Sequence, residues 1–151
     1  MTARMSHRWS TSLATLLVLA VPLAAGPAVA AGKDVTYRAA LNGSSEVPAT
    51  TSPGQGEITA TFDPATKHLS WSGRYSGLTG PVTAAHFHGP AKTGENAGVL
   101  VPVTAASSPF TGEATLDDAK AADLAAGRLY FNIHTAANPK GEIRGQLERA
   151  P

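Results

Sequence analysis

The chain of 151 residues contains no cysteine. Disulfide bonds, thiolate metal ligands and a cysteine nucleophile are therefore excluded, as is a lipid anchor attached through cysteine. We expect a domain without disulfide bonds to obtain its stability from side-chain packing, sheet hydrogen bonds or a bound metal ion.

Clusters of basic residues are also missing. Lys and Arg number 12 against 11 Asp and Glu, and the first 30 residues hold only two of the 12, Arg4 and Arg8. Residues 31–151 therefore carry 10 basic and 11 acidic groups, a net charge near −1. Because nucleic-acid binding needs clustered Lys and Arg, we expect no nucleic-acid partner.

The sequence has no apolar run long enough to cross a bilayer as a helix, which takes about 20 residues. The longest run, residues 13–25, is interrupted by Pro22 and followed by Gly-Pro and then Ala28–Ala30. A basic start, a short apolar run and a small-x-small site are typical of a secretory signal peptide. We expect residues 1–30 to be this signal peptide. Residues 31–151 then form one secreted, extracellular or periplasmic domain that does not insert into the membrane.

What the sequence does contain is period-two alternation of polar and apolar residues between turn residues, which indicates half-buried strands. An alanine-rich stretch, residues 117–126, starts with Asp, precedes Gly127 and predicts one short helix. The pattern predicts an all-β fold, a Greek-key-like β-sandwich of about eight short antiparallel strands. The expected strands are residues 35–41, 57–62, 69–75, 82–88, 99–103, 110–115, 128–134 and 142–148.

Three histidines fall on these predicted strands. Side chains two residues apart on a strand share a face, so His86 and His88 lie on the same side of the sheet. If the strands are neighbours, His86, His88, His134 and Glu142 converge. Three imidazoles and a carboxylate suit zinc, copper(II) or nickel. These four residues are therefore a candidate metal site with copper or zinc as its cofactor, which is one of two interpretations that the sequence leaves open.

A structural hydrogen-bonded network is the alternative interpretation of the same residues. In that network a carbonyl or carboxylate holds His134, and Arg144 pairs with Glu142. Glu46 follows the first predicted strand and is a further candidate partner of the histidines. Asn132 shares a strand face with His134 and belongs to the same candidate set.

Motifs of familiar enzymes are missing as well. The chain has no Gly-x-Ser-x-Gly sequence, and no pattern in it places two carboxylates together for glycoside cleavage. The His-x-His strand is similar to copper–zinc superoxide dismutase, whose zinc-loop ligands and disulfide have no counterpart here. We expect no enzyme activity, and redox chemistry at a three-histidine metal site is the alternative.

Four motifs follow one another along residues 31–151: Asn42–Pro48, Ala85–Gly89, Tyr130–Thr135 and Gly141–Gln146. In this order they resemble the CHRD domain, a family named after chordin. The resemblance implies a β-sandwich-like exported domain that acts as a non-catalytic interaction module with a protein or cell-surface partner. Chordin's cysteine-rich ligand-binding modules have no counterpart in this chain, so growth-factor binding is not carried over. The first motif also contains a formal glycosylation sequon at Asn42.

Overall fold

Antiparallel strands make up most of the computed structural model, which describes residues 32–105 and 107–151. The predicted signal peptide lies outside the described residues. A 3-10 helix, Gly43–Ser45, follows the first strand, and helix α1 is Asp118–Ala125. Within the two described ranges, no helix has the length and apolar character needed to span a membrane. The strands are β1 (Val35–Asn42), β2 (Gln55–Asp63), β3 (His68–Ser76), β4 (Val82–His88), β5 (Val99–Val103), β6 (Phe110–Thr115), β7 (Tyr130–Thr135), β8 (Ile143–Gln146) and β9 (Glu148–Arg149).

The alternation in the sequence determines which side chains each strand buries. In β1, Tyr37, Ala39 and Leu41 are buried, and Arg38 between the first two is exposed. Strands β4, β5 and β6 have the predicted bounds. The last predicted strand, residues 142–148, is instead two strands, because β8 pairs with β7 while β9 pairs with β1.

Helix α1 is bounded by the residues that the sequence indicates. The Asp117 side chain accepts a hydrogen bond from the Lys120 backbone N–H at 2.8 Å, which caps the first turn. Gly127 follows the helix at a φ of 67°, a left-handed conformation that favours glycine. Leu124 is fully buried and attaches the helix to the core.

All strands belong to one sheet with the order β5-β4-β7-β8-β1-β2-β3-β6, and β9 lies beside β1. The two halves of the sheet join where Asn42 of β1 pairs with Arg144 of β8. Gly145 permits this junction, because a side chain at that position would collide with the Ala40 carbonyl oxygen. The result is a nearly closed antiparallel sheet with a single short helix, which confirms the predicted all-β class.

Aromatic rings fill the space between the two halves of the sheet. The ring centroids of Trp71 and Phe87 are 5.0 Å apart, and those of Phe110 and Phe131 are 5.7 Å apart. In each pair the two rings come from opposite halves, so these contacts hold the folded-over sheet together.

Strands β4 and β7 are antiparallel neighbours, with His86 opposite Asn132. The core side of the pair carries Phe87, Phe131 and Ile133, all fully buried. Because side chains alternate along a strand, His86, His88, Asn132 and His134 lie on the outer face. Loops 89–98 and 136–142 contact this outer face, where the three histidines are found.

Candidate functional site

The histidine cluster, defined as His86, His88 and His134, lies on the outer face of β4 and β7. Each residue offers one ring nitrogen, and the three nitrogens lie within 4.8 Å of one another. His88 is buried, whereas His86 and His134 are partly exposed. The structure therefore brings together the three histidines that the strand pattern placed on one face.

His86 and His134 form the closest pair in the cluster. Nδ1 of His86 lies 3.2 Å from Nε2 of His134, and Nδ1 of His134 lies 3.1 Å from the Pro139 carbonyl oxygen. A carbonyl oxygen only accepts, so Nδ1 of neutral His134 carries the proton and donates to Pro139. Nε2 of His134 therefore presents a lone pair toward His86.

His88 contacts an oxygen atom at both ring nitrogens. Nδ1 lies 3.0 Å from the Ala97 carbonyl oxygen, and Nε2 lies 3.0 Å from Oδ1 of Asn132. Its ring also stacks on Tyr130, with centroids 4.8 Å apart and planes within 3°. These contacts hold the buried imidazole in one orientation.

Burial favours the neutral imidazoles of His86 and His88. It lowers the pKa of His86, and the neighbouring His134 and His88 lower that pKa further. Burial also lowers the pKa of His88, although hydrogen bonding to Ala97 and Asn132 acts in the opposite direction. Neutral imidazoles keep a lone pair, which is the state that binds metal ions.

Glu142 does not join the histidine cluster. Its Oε1 accepts hydrogen bonds from Ser52 Oγ at 2.6 Å and from the Thr79 backbone N–H at 2.7 Å, and its Oε2 accepts one from Thr135 Oγ1. Burial alone would raise the pKa of Glu142, but these hydrogen bonds outweigh burial and lower the pKa to about 2. Glu142 therefore belongs to a separate structural network with Ser52, Thr79 and Thr135.

Arg144 does not pair with Glu142 as the network interpretation expected. Its guanidinium group donates to Oδ1 of Asn96 at 3.1 Å and to the Glu95 carbonyl oxygen at 2.7 Å. The same group lies 3.4 Å from the centroid of the Tyr130 ring. Arg144 therefore bonds loop 89–98 to the sheet. The Ala97 carbonyl that contacts His88 belongs to this loop. Asn96 is a partner that no sequence pattern indicates.

Glu46 is the buried carboxyl group that comes near the cluster. Asn132, whose Oδ1 lies 3.0 Å from Nε2 of His88, is one of its neighbours. Burial raises the pKa of Glu46 to about 7, against the opposing effects of Arg144, the Val47 backbone N–H and Asn132. Oε1 of Glu46 is buried and accepts no hydrogen bond from the described residues.

Gly141 covers the Glu46 carboxyl group. Its φ of 128° is unfavourable for other residues, and a Cβ atom there would lie 2.5 Å from Oε1 of Glu46. The turn that ends in Gly141 also contains Pro139, whose carbonyl oxygen holds His134. One turn thus packs on both the carboxyl group and the histidine cluster.

Comparison with known protein families identifies the chain. A family model described as the CHRD domain matches residues 37–147. Comparisons with curated proteins and with solved structures found no match. The matched segment contains all three histidines together with Glu46 and Asn132, and it confirms the resemblance seen in the four sequence motifs. This chain belongs to the CHRD domain family.

Proposed function

We propose that this CHRD-domain protein is an exported, non-catalytic binding module whose ligand is a transition metal ion, copper(II) or zinc, held by His86, His88 and His134. The observation that carries the proposal is the convergence of three ring nitrogens within 4.8 Å on one face of the sheet. The protein or cell-surface partner expected from the family resemblance stays a prediction.

The spacing of the closest pair supports metal binding. Metal–nitrogen bonds of about 2.0–2.1 Å in a tetrahedral site place two ligand nitrogens about 3.3 Å apart. Nδ1 of His86 and Nε2 of His134 are 3.2 Å apart, which needs little movement to accept an ion. The second nitrogen of His134 donates to the Pro139 carbonyl, an arrangement that commonly orients histidine ligands of metal ions.

The type of ligand narrows the choice of metal. Imidazole suits zinc, copper and nickel, whereas calcium and magnesium prefer oxygen ligands. Among these divalent ions copper(II) binds nitrogen ligands most tightly, so we expect copper(II) to compete successfully with zinc.

The surroundings of the cluster favour binding over catalysis. A hydrolytic metal site generally places an acid or base beside the metal. Among the described residues, the carboxyl group of Glu142 is occupied in its own network, and that of Glu46 is covered by Gly141. Neither is available to a substrate in this arrangement.

A titration of the purified protein with copper(II) and zinc tests the proposal. We expect one equivalent to bind, and His134→Ala to weaken binding by more than roughly 100-fold because a ligand is lost. His68→Ala is the matched control, since His68 pairs with Glu113 on the surface outside the cluster. Equal metal affinity in the His134 variant and the wild type would overturn the proposal.

Export is tested separately. The N-terminal sequence supports a cleaved signal peptide, so the full chain expressed in a bacterial host should appear outside the cytoplasm with Ala31 as its first residue. Sequencing the N-terminus of the fractionated protein provides the measurement. A product that stays in the cytoplasm with its first 30 residues intact would contradict export and leave metal binding unaffected.

A further inference from the structure

A pocket lies on the outer face of the sheet, where β1, β8 and loop 89–98 meet. Its volume is about 260 Å³, the space of roughly nine water molecules at about 30 Å³ each. Small residues of its lining, Ala39, Ala40, Gly94 and Gly145, leave this space open. A cavity of this size accepts a small molecule rather than a drug-sized one.

One wall of the pocket carries a buried arginine. Arg144 is only 2% exposed, and its bonds to loop 89–98 and its contact with the Tyr130 ring hold the guanidinium group in one orientation. Those bonds use two of its five N–H groups, which leaves donors for a further acceptor. Because the group is already fixed, it loses little conformational entropy when it binds an oxyanion.

A second arginine lines the pocket from β1. Arg38 is exposed and takes part in none of the ion pairs among the described residues. Glu148 lies opposite Arg38 in the pairing of β1 with β9 and is the acidic residue of the lining. Glu46 attracts Arg144 from outside the lining. The pocket therefore keeps at most one uncompensated positive charge, which suits a monoanion better than a doubly charged phosphate.

We infer that this pocket binds a small carboxylic acid, whose carboxylate group is held by the guanidinium groups of Arg38 and Arg144. The planar fork of N–H groups on an arginine matches the two oxygens of a carboxylate, and the single negative charge matches the charge of the lining. Thr93 brings a hydroxyl group from the loop side. The inference does not depend on metal binding, because the pocket lining contains none of the three histidines.

Nuclear magnetic resonance of the isotope-labelled protein tests the inference with two probes of the same shape, propionate and propionamide. We expect propionate to shift the backbone amide signals of Thr93, Gly94 and Gly145, and propionamide to leave them in place at the same concentration. Inorganic phosphate should bind more weakly than propionate. Equal shifts with propionate and propionamide, or tighter binding of phosphate, would overturn the assignment of a carboxylate ligand.

The first variant removes the exposed arginine of the pocket. We expect Arg38→Ala to weaken propionate binding at least roughly 10-fold, because charge-assisted hydrogen bonds to the carboxylate are lost. Arg74→Ala is the matched control, since Arg74 is an exposed arginine of β3 that pairs with Glu57 outside the pocket. The same loss in both variants would mean that propionate responds to the overall charge of the protein, which contradicts a specific site.

Two further variants change the space and the charge of the pocket while Arg144 keeps its bonds to loop 89–98. Ala40→Leu fills the pocket from an exposed position of β1 and should abolish propionate binding. Glu148→Gln removes the competing carboxylate and should strengthen binding roughly 3-fold. Melting curves establish that each variant is folded. A folded Ala40→Leu protein with wild-type affinity, or weaker binding in Glu148→Gln, refutes the inference.

Discussion

Glu142 and Glu46 are two buried carboxyl groups in opposite electrostatic situations. Glu142 accepts hydrogen bonds from three separate segments of the chain, and its pKa falls to about 2. One oxygen of Glu46 has no hydrogen-bond partner among the described residues, and the pKa of this group rises to about 7. Burial raises the pKa of both groups, so the number of donors facing the carboxylate decides the outcome.

The two shifts predict opposite effects of pH on stability. The pKa of Glu142 is lower in the folded state, so its contribution is present above pH 4.5 and is lost as the pH falls toward 2. The pKa of Glu46 is higher in the folded state, so its contribution is present below pH 4.5 and is lost as the pH rises through 7. Without metal, these two groups together favour a stability maximum near pH 4.5.

The largest expected effect is that of Glu142→Gln. The amide cannot accept all the hydrogen bonds that the carboxylate accepts, and we expect a loss of about 3 kcal/mol in the free energy of unfolding at pH 7. Urea denaturation at pH 7 and pH 3 measures the loss and its pH dependence. Glu57→Gln is the control, since its exposed ion pair with Arg74 contributes below about 0.5 kcal/mol. Similar losses in both variants would contradict the network.

An effect of opposite sign is expected for Glu46→Gln. At pH 8 the wild type holds a buried carboxylate at unfavourable energy, so the neutral variant should be more stable by about 3 kcal/mol without metal. The gain should disappear at pH 4, where both proteins are neutral at this position. A variant less stable than the wild type at pH 8 would show that the Glu46 charge stabilises the fold.

The smallest expected effect is the loss of one hydrogen bond from the Glu142 network. Ser52→Ala removes one of the donors to Oε1 and leaves the Thr79 backbone N–H in place. We expect a loss of about 1 kcal/mol at pH 7 and an acid unfolding midpoint shifted to higher pH. Ser70→Ala on the sheet surface is the control. An unchanged acid midpoint in Ser52→Ala would mean that this hydroxyl does not lower the pKa of Glu142.

The histidine cluster was largely predictable because period-two alternation holds along regular strands. The alternation placed His86 and His88 on one side of β4, and Asn132 and His134 on one side of β7. Because β4 pairs with β7, these two sides form one face of the sheet. The same rule failed for Glu142, which precedes β8 rather than belonging to it. The positive φ of Gly141 redirects the chain there, so the alternation of β8 does not extend back to residue 142.

The sequence by itself determined the all-β class, the bounds of strands β4, β5 and β6 and the polar face that carries the histidines, because these follow from local periodicity and turn residues. Only the tertiary structure decided the partners of the charged groups. Arg144 bonds to Glu95 and Asn96, and Glu142 bonds to Ser52, through loops that meet after the sheet has closed. Such contacts join residues far apart along the chain, so their geometry depends on strand order and loop path, which no local pattern in the sequence specifies.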